Sequence, residues 1–306
     1  MRSVLAVGLI VALSAALSQG QMTLVDNGFD DYDLGTVHQQ GDDGYGTARW
    51  AVQQNSSTLA DTTYVTVQAL AEDPANLAVE LKNLGRTGLV DTIYACMSLG
   101  TLSIYQEGTI YLRFKADGPN DTIMGTNDLW AHWDYGTLDT GDASSRYFQQ
   151  TANNYDAMGV LIRLSAGEEF RSCDGTSGDR FVDMGQATGA WQELWIQVDQ
   201  ANDRMRYYLC EDGQSPALVP NPADGGAWWA MWNGVRNNDA VANLKFFVGG
   251  QPIEMGEKNV VLESVAIDPN EMTVDHYAGW APIPAGLRAD FDGDGDVDLD
   301  DFVILK

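Results

Sequence analysis

Cysteine, histidine and basic residues are scarce in this sequence. Its 306 residues include three Cys and three His, and 17 Lys and Arg stand against 44 Asp and Glu, for a formal net charge of −27. A surface of this sign repels the phosphates of nucleic acids and the head groups of anionic membranes. The charge therefore argues against either as a partner. It leaves two interpretations of the acidity, a solvated surface or sites for divalent cations.

The three cysteines, Cys96, Cys173 and Cys210, permit at most one intramolecular disulfide. Cys173 and Cys210 each precede an acidic-glycine turn, so a bond between them would join neighbouring loops, and Cys96 stays open as a partner of either. No C-x-x-C spacing indicates a metal site.

Long apolar runs are absent after the N-terminus. Residues 1–20 combine Arg2, an apolar stretch over Val4–Leu17 and small residues at Ser18 and Gly20, as a secretory signal peptide does. The stretch is short for a membrane span, and no later run reaches about 18 apolar residues. We therefore expect a secreted, extracellular protein with no membrane span in the sequence, although attachment to a cell surface stays open.

Segments of helical period are nearly absent as well, and short β-prone runs separated by turn residues take their place. In chain order the clearest runs are 62–70, 77–84, 108–116, 157–165, 191–199, 204–212, 243–250 and 259–268. Several of them alternate apolar and polar residues, which is typical of strands with one solvated face. Many short strands and few helices predict an all-β sandwich or barrel.

One stretch, 191–213, reads WQELWIQVDQANDRMRYYLCEDG and predicts a β-hairpin whose strands are joined by QAND. Together with an opening DNGFDDYDLGTV and a closing VVLESVAIDP, this order resembles the concanavalin A-like jelly rolls, a superfamily of lectins, laminin-G-like modules, glucanases and polysaccharide lyases. The resemblance covers about Leu24 to His276. It implies an all-β jelly-roll sandwich in which a first strand after FDDYDLG pairs near the last strand.

The C-terminus carries a regular series of aspartates. Side-chain carboxylates fall at positions 1, 3, 5, 9 and 12 of a loop, glycine takes position 6, and an aspartate at position 7 would offer its backbone carbonyl. Oxygen donors at these intervals wrap Ca²⁺, and the glycine permits the sharp turn. The alternative is a disordered acidic tail, but solvation does not require the glycine, the apolar residue at position 8 or the apolar helix start FVILK. The predicted calcium ligands are Asp290, Asp292, Asp294, Asp296, Asp298 and Asp301.

This loop resembles a dockerin type I repeat, the EF-hand-like module of secreted polysaccharide-degrading complexes, with Asp301 where sensor EF-hands have Glu. Dockerins pair two repeats, and residues 290–306 hold the first half of one module. Either the natural protein continues past Lys306, which we expect, or the half module is a remnant that binds calcium weakly. The complete module implies a cohesin-like or surface partner. A linker over 279–289 separates the module from the predicted sandwich domain, 21–278.

Catalytic motifs of the glycan-active members of this fold are not evident. The E-x-D-x-x-E pattern, which places nucleophile and acid on one strand face, is reduced here to Glu193 and Asp199 with nothing acidic between them. Polysaccharide lyases use a His or Tyr base with a neutralising Arg or Gln, and His132 between two tryptophans is the candidate base. The residue types that such a lyase site would need are His132, Tyr135, Tyr155 and Arg163.

Tryptophan clusters give the clearer indication of function. DLWAHWDYG and GGAWWAMWNG place indole rings beside polar and glycine residues. Sugars stack their C–H faces on exposed indoles while neighbouring polar groups bind the hydroxyls. The alternative is that these rings fill the core, where tryptophan is commonly found. The candidate carbohydrate-binding residues are Trp130, Trp133, Trp228, Trp229 and Trp232.

A second calcium site follows only from the jelly-roll resemblance, because such folds often join their first and last strands through this ion. Asp26, Asp30 and Asp268 are placed for it. Acidic turns account for the same three residues equally well, so both interpretations stay open.

Taken together, these features predict a secreted bacterial protein that binds carbohydrate, or is associated with it, in extracellular polysaccharide degradation. The expected cofactor is Ca²⁺ and the expected partner is a polysaccharide or other glycan. Two alternatives remain. One is a polysaccharide lyase or glycoside hydrolase on the same fold, and the other is a surface or matrix protein without a glycan role.

Overall fold

The computed structural model describes residues 22–46, 48–54, 63–83, 92–117, 122–127, 158–164, 169–173, 181–231, 241–249 and 258–274. Among these residues the chain forms antiparallel strands and short 3₁₀ turns, and no helix is long and apolar enough to cross a membrane. The signal peptide, the linker and the calcium loop lie outside the described residues. So do Trp130, Trp133, Trp232, His132, Tyr135 and Tyr155.

Ten strands form the larger of two sheets, in the order β14-β13-β12-β7-β17-β5-β4-β2, with β1 paired to β17 and β15 paired to β13. Their bounds are β1 Thr23–Leu24, β2 Gly35–Thr36, β4 Thr63–Ala69, β5 Leu77–Asn83, β7 Glu107–Asp117, β12 Trp191–Asp199, β13 Arg204–Glu211, β14 Ala217–Val219, β15 Trp229–Ala230 and β17 Lys258–Asp268. Numbers follow the chain order of all 17 strands in the described residues.

Seven strands form the smaller sheet, in the order β11-β10-β9-β8-β16-β6-β3. Their bounds are β3 Trp50–Gln54, β6 Thr92–Ser98, β8 Thr122–Asn127, β9 Met158–Leu164, β10 Glu169–Cys173, β11 Phe181–Gln186 and β16 Asn243–Gly249. Short 3₁₀ turns cover Val25–Phe29, Gly100–Leu102 and Gln200–Asn202.

The two sheets enclose one apolar core. Trp50 of β3 stacks on Phe246 of β16, with ring centroids 5.9 Å apart, and both rings belong to the same buried cluster as Leu112 of β7 and Val79 of β5. Side chains from both sheets thus remove their apolar surface from water in a shared interior, at roughly 25 cal/mol per Å². The predicted all-β sandwich is confirmed.

The predicted hairpin is also confirmed. Strands β12 and β13 pair antiparallel from Gln192↔Glu211 to Asp199↔Arg204, and Gln200–Asn202 forms the turn between them. On β12 the apolar residues Leu194, Ile196 and Val198 face the core at a period of two. This alternation places the residues between them on the opposite side of the sheet.

The expected pairing of first and last strands needs a correction. The strand after FDDYDLG is β2, which pairs with β4 at the sheet edge, whereas β1 before it pairs with β17. The cause is a left-handed turn, because φ is positive at every residue from Asp26 to Phe29. Left-handed residues other than glycine cost roughly 1 to 2 kcal/mol each. Complete burial of Phe29 offsets part of that cost.

Of the disulfide pairings that the sequence left open, those through Cys210 are not formed, because Cys210 is a buried free thiol. Cys96 and Cys210 are both buried thiols and neither is a half-cystine. Cys210 instead lies against Glu193, with its Sγ 3.4 Å from Glu193 Oε2.

Candidate functional site

One side of the ten-stranded sheet faces away from the core, and we call it the polar face. Its residues on β7, β12 and β13 lie directly opposite one another in register, as Trp195↔Tyr111 and Trp195↔Tyr208 do. The members on these strands are Glu107, Thr109, Tyr111, Arg113, Lys115, Trp191, Glu193, Trp195, Gln197, Asp199, Arg204, Arg206, Tyr208 and Cys210.

Part of the polar face is buried, contrary to the expectation of one solvated side per strand. Tyr111, Glu193 and Trp195 are each 0% exposed. Met22 and Ala266 pack in one cluster with Tyr111 and Trp195. Strand β12 is therefore covered on both sides, and its polar residues must find partners within the protein.

Glu193 lies at the centre of this buried part. Tyr111 Oη donates to Glu193 Oε1 at 2.8 Å and the Cys210 thiol donates to Oε2. Burial raises the pKa of Glu193, and burial next to this carboxyl also raises the pKa of Tyr111. Burial and Glu193 raise the pKa of Cys210 to about 12, so the thiol stays neutral and is a poor nucleophile.

Arg113 joins three segments of the face. Its Nη2 donates to Asp212 at 2.8 Å and its Nη1 to Glu263 at 2.9 Å. The guanidinium carbon lies 4.5 Å from the ring centroid of Trp191. Because Arg113 is 4% exposed and fixed at both ends of its fork, it provides a rigid cationic support for the indole.

A cavity of about 210 Å³ opens beside Trp191, at one end of the polar face. Trp191, Lys115 and Val261 line it from the sheet, and the segment from Gln68 to Glu72 lines it from β4 and the turn after it. The volume is below the range of pockets for drug-sized ligands, so it has room for one small ring.

Glu72 fixes the indole that forms the wall of this cavity. Trp191 Nε1 donates to Glu72 Oε1 at 2.7 Å across 119 positions of sequence. Burial acts to raise the pKa of Glu72, but its own backbone N–H, the Trp191 indole and the charge of Lys115 together lower it. The carboxylate is thus ionised at neutral pH and serves as a hydrogen-bond acceptor at the cavity.

The opposite end of the polar face holds two arginines against one indole. The guanidinium carbons of Arg204 and Arg206 lie 4.0 and 4.7 Å from the ring centroid of Trp228. Arg204 Nε donates to Asp199 at 2.8 Å, and Arg206 Nε donates to Gln197. This arrangement exposes a cationic surface in an otherwise acidic protein.

The predicted tryptophans have different positions. Trp229 is 0% exposed, meets Tyr207 edge to face at 5.6 Å and donates from Nε1 to the Val219 carbonyl at 3.3 Å. It is a core residue and offers no ring face to a sugar, so the prediction of sugar contact is corrected at this position. Trp228 is half-buried and lies against the two arginines. The sequence motifs do not indicate Trp191 as a site residue. Its position at the start of the alternating strand β12 is the one signal that places it on the polar face.

Asp26, Asp30 and Asp268 do not converge on a metal. Asp30 accepts from the Leu77 amide, and Asp268 accepts from two amides of its own turn. Within the described ranges no three acidic, His or Cys side chains are grouped to hold an ion. The second calcium interpretation is therefore not supported by the geometry of these three aspartates.

A guanidinium takes the place that a metal would need at Asp26. Arg49 donates from Nε to Asp26 at 2.8 Å, from Nη1 to the Ser98 carbonyl at 2.6 Å and from Nη2 to the Asp42 carbonyl. Carboxylate and carbonyl oxygens are the donors that Ca²⁺ prefers. Here they satisfy a buried internal cation, so these residues do not fit an added ion.

Glu193 and Asp199 do not form a hydrolase pair. They are six residues apart on β12, or about 20 Å at 3.3 Å per residue. Glycosidase carboxyls lie roughly 5 to 9.5 Å apart. Glu193 is also fully buried, which denies it access to a substrate.

No family model matches this chain. Nor does any curated protein sequence match it.

Solved structures with a similar arrangement include lectin-type chains. Arcelin-5, a lectin-like defence protein from Phaseolus vulgaris, is 10% identical with a TM-score of 0.41, over 76% of this chain and 95% of its own. The VIP36 exoplasmic/lumenal domain, solved in a Ca²⁺/Man2-bound form, is 10% identical with a TM-score of 0.42, over 80% and 90%. A sialidase is 11% identical with a TM-score of 0.44, over 78% of this chain.

The chain spans 19% of the length of that sialidase. Lectin-type chains are thus among the solved structures that resemble it. These identities and TM-scores are too low to assign the ligands of those proteins to this chain.

Proposed function

We propose that this is a secreted carbohydrate-binding protein of extracellular polysaccharide degradation, and that the cavity beside Trp191 receives a sugar ring. The observation that supports the proposal is the convergence of an indole, a carboxylate, an amide and an ammonium group on one small cavity, from Trp191, Glu72, Gln68 and Lys115. Apolar faces flanked by a few fixed polar groups are what sugar recognition requires.

Each group has a distinct part in binding. The indole offers an apolar face to the C–H groups of a pyranose ring. The ionised Glu72 accepts hydrogen bonds from hydroxyls, while Gln68 and Lys115 donate them. Since Arg113 and Glu72 already hold the indole in place, binding sacrifices little side-chain freedom.

The C-terminal aspartates support a second part of the proposal. Their spacing from Asp290 to Asp301 is that of a calcium loop, with the carboxylates as ligands and Gly295 at the turn. A complete module of dockerin type would bind a cohesin-like or surface partner, and so hold the sandwich near other secreted proteins. In this account the body recognises the glycan and the C-terminal module determines location.

Binding to a panel of soluble polysaccharides, with calcium and with a chelator, tests the proposal. We expect one or more neutral or acidic glycans to bind. A protein that is folded by circular dichroism yet binds no glycan in either condition contradicts it.

A further inference from the structure

We propose that Arg204, Arg206 and Trp228 form a site for the carboxylate or sulfate group of an acidic polysaccharide. The site goes beyond the Trp191 cavity, since it lies at the other end of β12, about 26 Å away at 3.3 Å per residue. At that end of β12, Gln197 lies opposite Arg206 and Asp199 lies opposite Arg204 on the neighbouring strand β13. The ligand class is an oxyanion carried on a sugar.

The arginines are held in place before any ligand arrives. They are two residues apart on β13, and so lie on the same side at a spacing of about 7 Å. Both guanidinium groups rest on Trp228, at 4.0 and 4.7 Å from its ring centroid. Within the part of the chain that the structure describes, the hydrogen bonds that fix them come from Nε in each case, so both Nη atoms of each arginine remain donors for a ligand.

The charge of the pair is only partly balanced by the residues that hold it. Asp199 is the ion-pair partner of Arg204, whose side chain is 40% exposed, whereas Gln197 is neutral and leaves the charge of Arg206 uncompensated in that contact. Stacking on the indole stabilises the cations but does not neutralise them. A bound anion supplies the missing charge.

The guanidinium donors determine which anion binds, and the aromatic rings favour an anion that is attached to a sugar. Guanidinium forks match the oxygens of carboxylate and sulfate in paired hydrogen bonds. Tyr208 continues the surface, with its ring centroid 6.0 Å from the Arg206 guanidinium carbon. A pyranose ring attached to the anion finds these aromatic groups beside it, so a uronic acid or a sulfated sugar fits better than a free ion.

Calorimetric titration of the full chain with three oligosaccharides tests the site. The probes are an oligogalacturonate, a sulfated galactan oligosaccharide and a neutral cello-oligosaccharide, at low ionic strength and with calcium. We expect at least one acidic probe to bind. Its affinity should fall about tenfold in Arg206→Gln and about a hundredfold in the double variant R204Q/R206Q, as the loss of charged hydrogen bonds requires. Lys82→Gln, which removes one positive charge from β5 of the same sheet, should bind like wild type.

A second measurement uses the wild-type protein and therefore does not require the glutamine variants to fold. Sodium sulfate should change the tryptophan fluorescence of the wild-type protein more than sodium chloride at equal ionic strength, and Trp228→Phe should abolish that difference. The proposal is overturned if neither acidic probe binds, if R204Q/R206Q binds as wild type does, or if sulfate and chloride act alike. Binding of the neutral probe alone overturns this site and leaves the Trp191 cavity in place.

Discussion

Arg49 Nε lies 2.8 Å from Asp26 Oδ2, and the two side chains are only 5% and 13% exposed. The pair joins the left-handed turn after β1 to the segment that leads into β3. Tyr32 Oη donates to the same carboxylate oxygen at 2.5 Å. These contacts hold the turn after β1 against the segment that leads into β3. They also occupy the carboxylate of Asp26, which was a candidate calcium ligand in the sequence.

Arg49→Met should destabilise the protein by about 3 to 5 kcal/mol, because it leaves a buried carboxylate and two carbonyl groups without their cation. Chemical denaturation measures the loss. The double variant R49M/D26N should recover part of it, since no unpaired charge remains. A loss below about 1 kcal/mol in Arg49→Met would contradict the importance of this ion pair.

Gly41→Ala should be more damaging than Gly189→Ala. Both glycines have positive φ, 77° and 72°, so the strain of a left-handed alanine is common to the two variants. At Gly41 an added Cβ would overlap Tyr32 Oη and Asp26 Oδ2, whereas at Gly189 no atom lies within 4 Å. We expect an additional loss of roughly 1 to 3 kcal/mol at Gly41, measured by denaturation. Equal losses would show that the cluster yields to a methyl group.

Glu193→Gln should change how stability depends on pH. Since burial raises the pKa of Glu193 in the folded state, its contribution to stability is complete below the ordinary glutamate pKa of about 4.3 and is lost as pH rises towards the raised value. The slope is at most about 1.4 kcal/mol per pH unit. The glutamine variant lacks this slope, so its stability relative to wild type should increase as the pH rises above the ordinary glutamate pKa.

Tyr111→Phe provides the matched comparison. It removes a hydrogen bond that favours the ionised form of Glu193, so the loss of stability with rising pH should extend further than in wild type. Denaturation curves at several pH values measure the free energy of unfolding of each protein and so test this difference. A parallel pH profile for wild type and Glu193→Gln would contradict a raised pKa for Glu193 in the folded protein.

Calcium binding should depend on the C-terminal loop. We expect calorimetry to detect a Ca²⁺ site that Asp292→Asn together with Asp294→Asn weakens by about tenfold or more, because two charged ligands are lost. Asp268→Asn serves as the control, since its carboxylate accepts from the amides of Asn270 and Glu271. Equal weakening by the control would place the ion elsewhere.

Local alternation explains how much of the fold could be predicted from the sequence. The run 191–199 coincides with β12 because its apolar residues repeat at a period of two, and the turn chemistry of QAND indicated the hairpin. The position of β1 was not predictable in this way. It depends on a left-handed turn that is stabilised by contacts with Arg49, 23 positions further along the chain from Asp26.

The candidate site was harder to predict because its contacts are distant in sequence. Trp191 meets Glu72 across 119 positions, and Arg113 meets Asp212 across 99. No local pattern encodes such pairs. Tryptophan clusters alone indicated Trp228 and Trp229 together, yet Trp228 lies against two arginines and Trp229 fills the core. Trp229 begins β15, and Trp228 directly precedes that strand.

Titration of the best-binding polysaccharide into wild type, Trp191→Ala and Tyr105→Ala tests most directly whether the glycan binds in the cavity beside Trp191. Tyr105 is a control because its ring is 64% exposed and takes no part in the cavity. We expect Trp191→Ala to lose affinity about tenfold or more, while Tyr105→Ala binds like wild type. Wild-type affinity in a folded Trp191→Ala variant would contradict it.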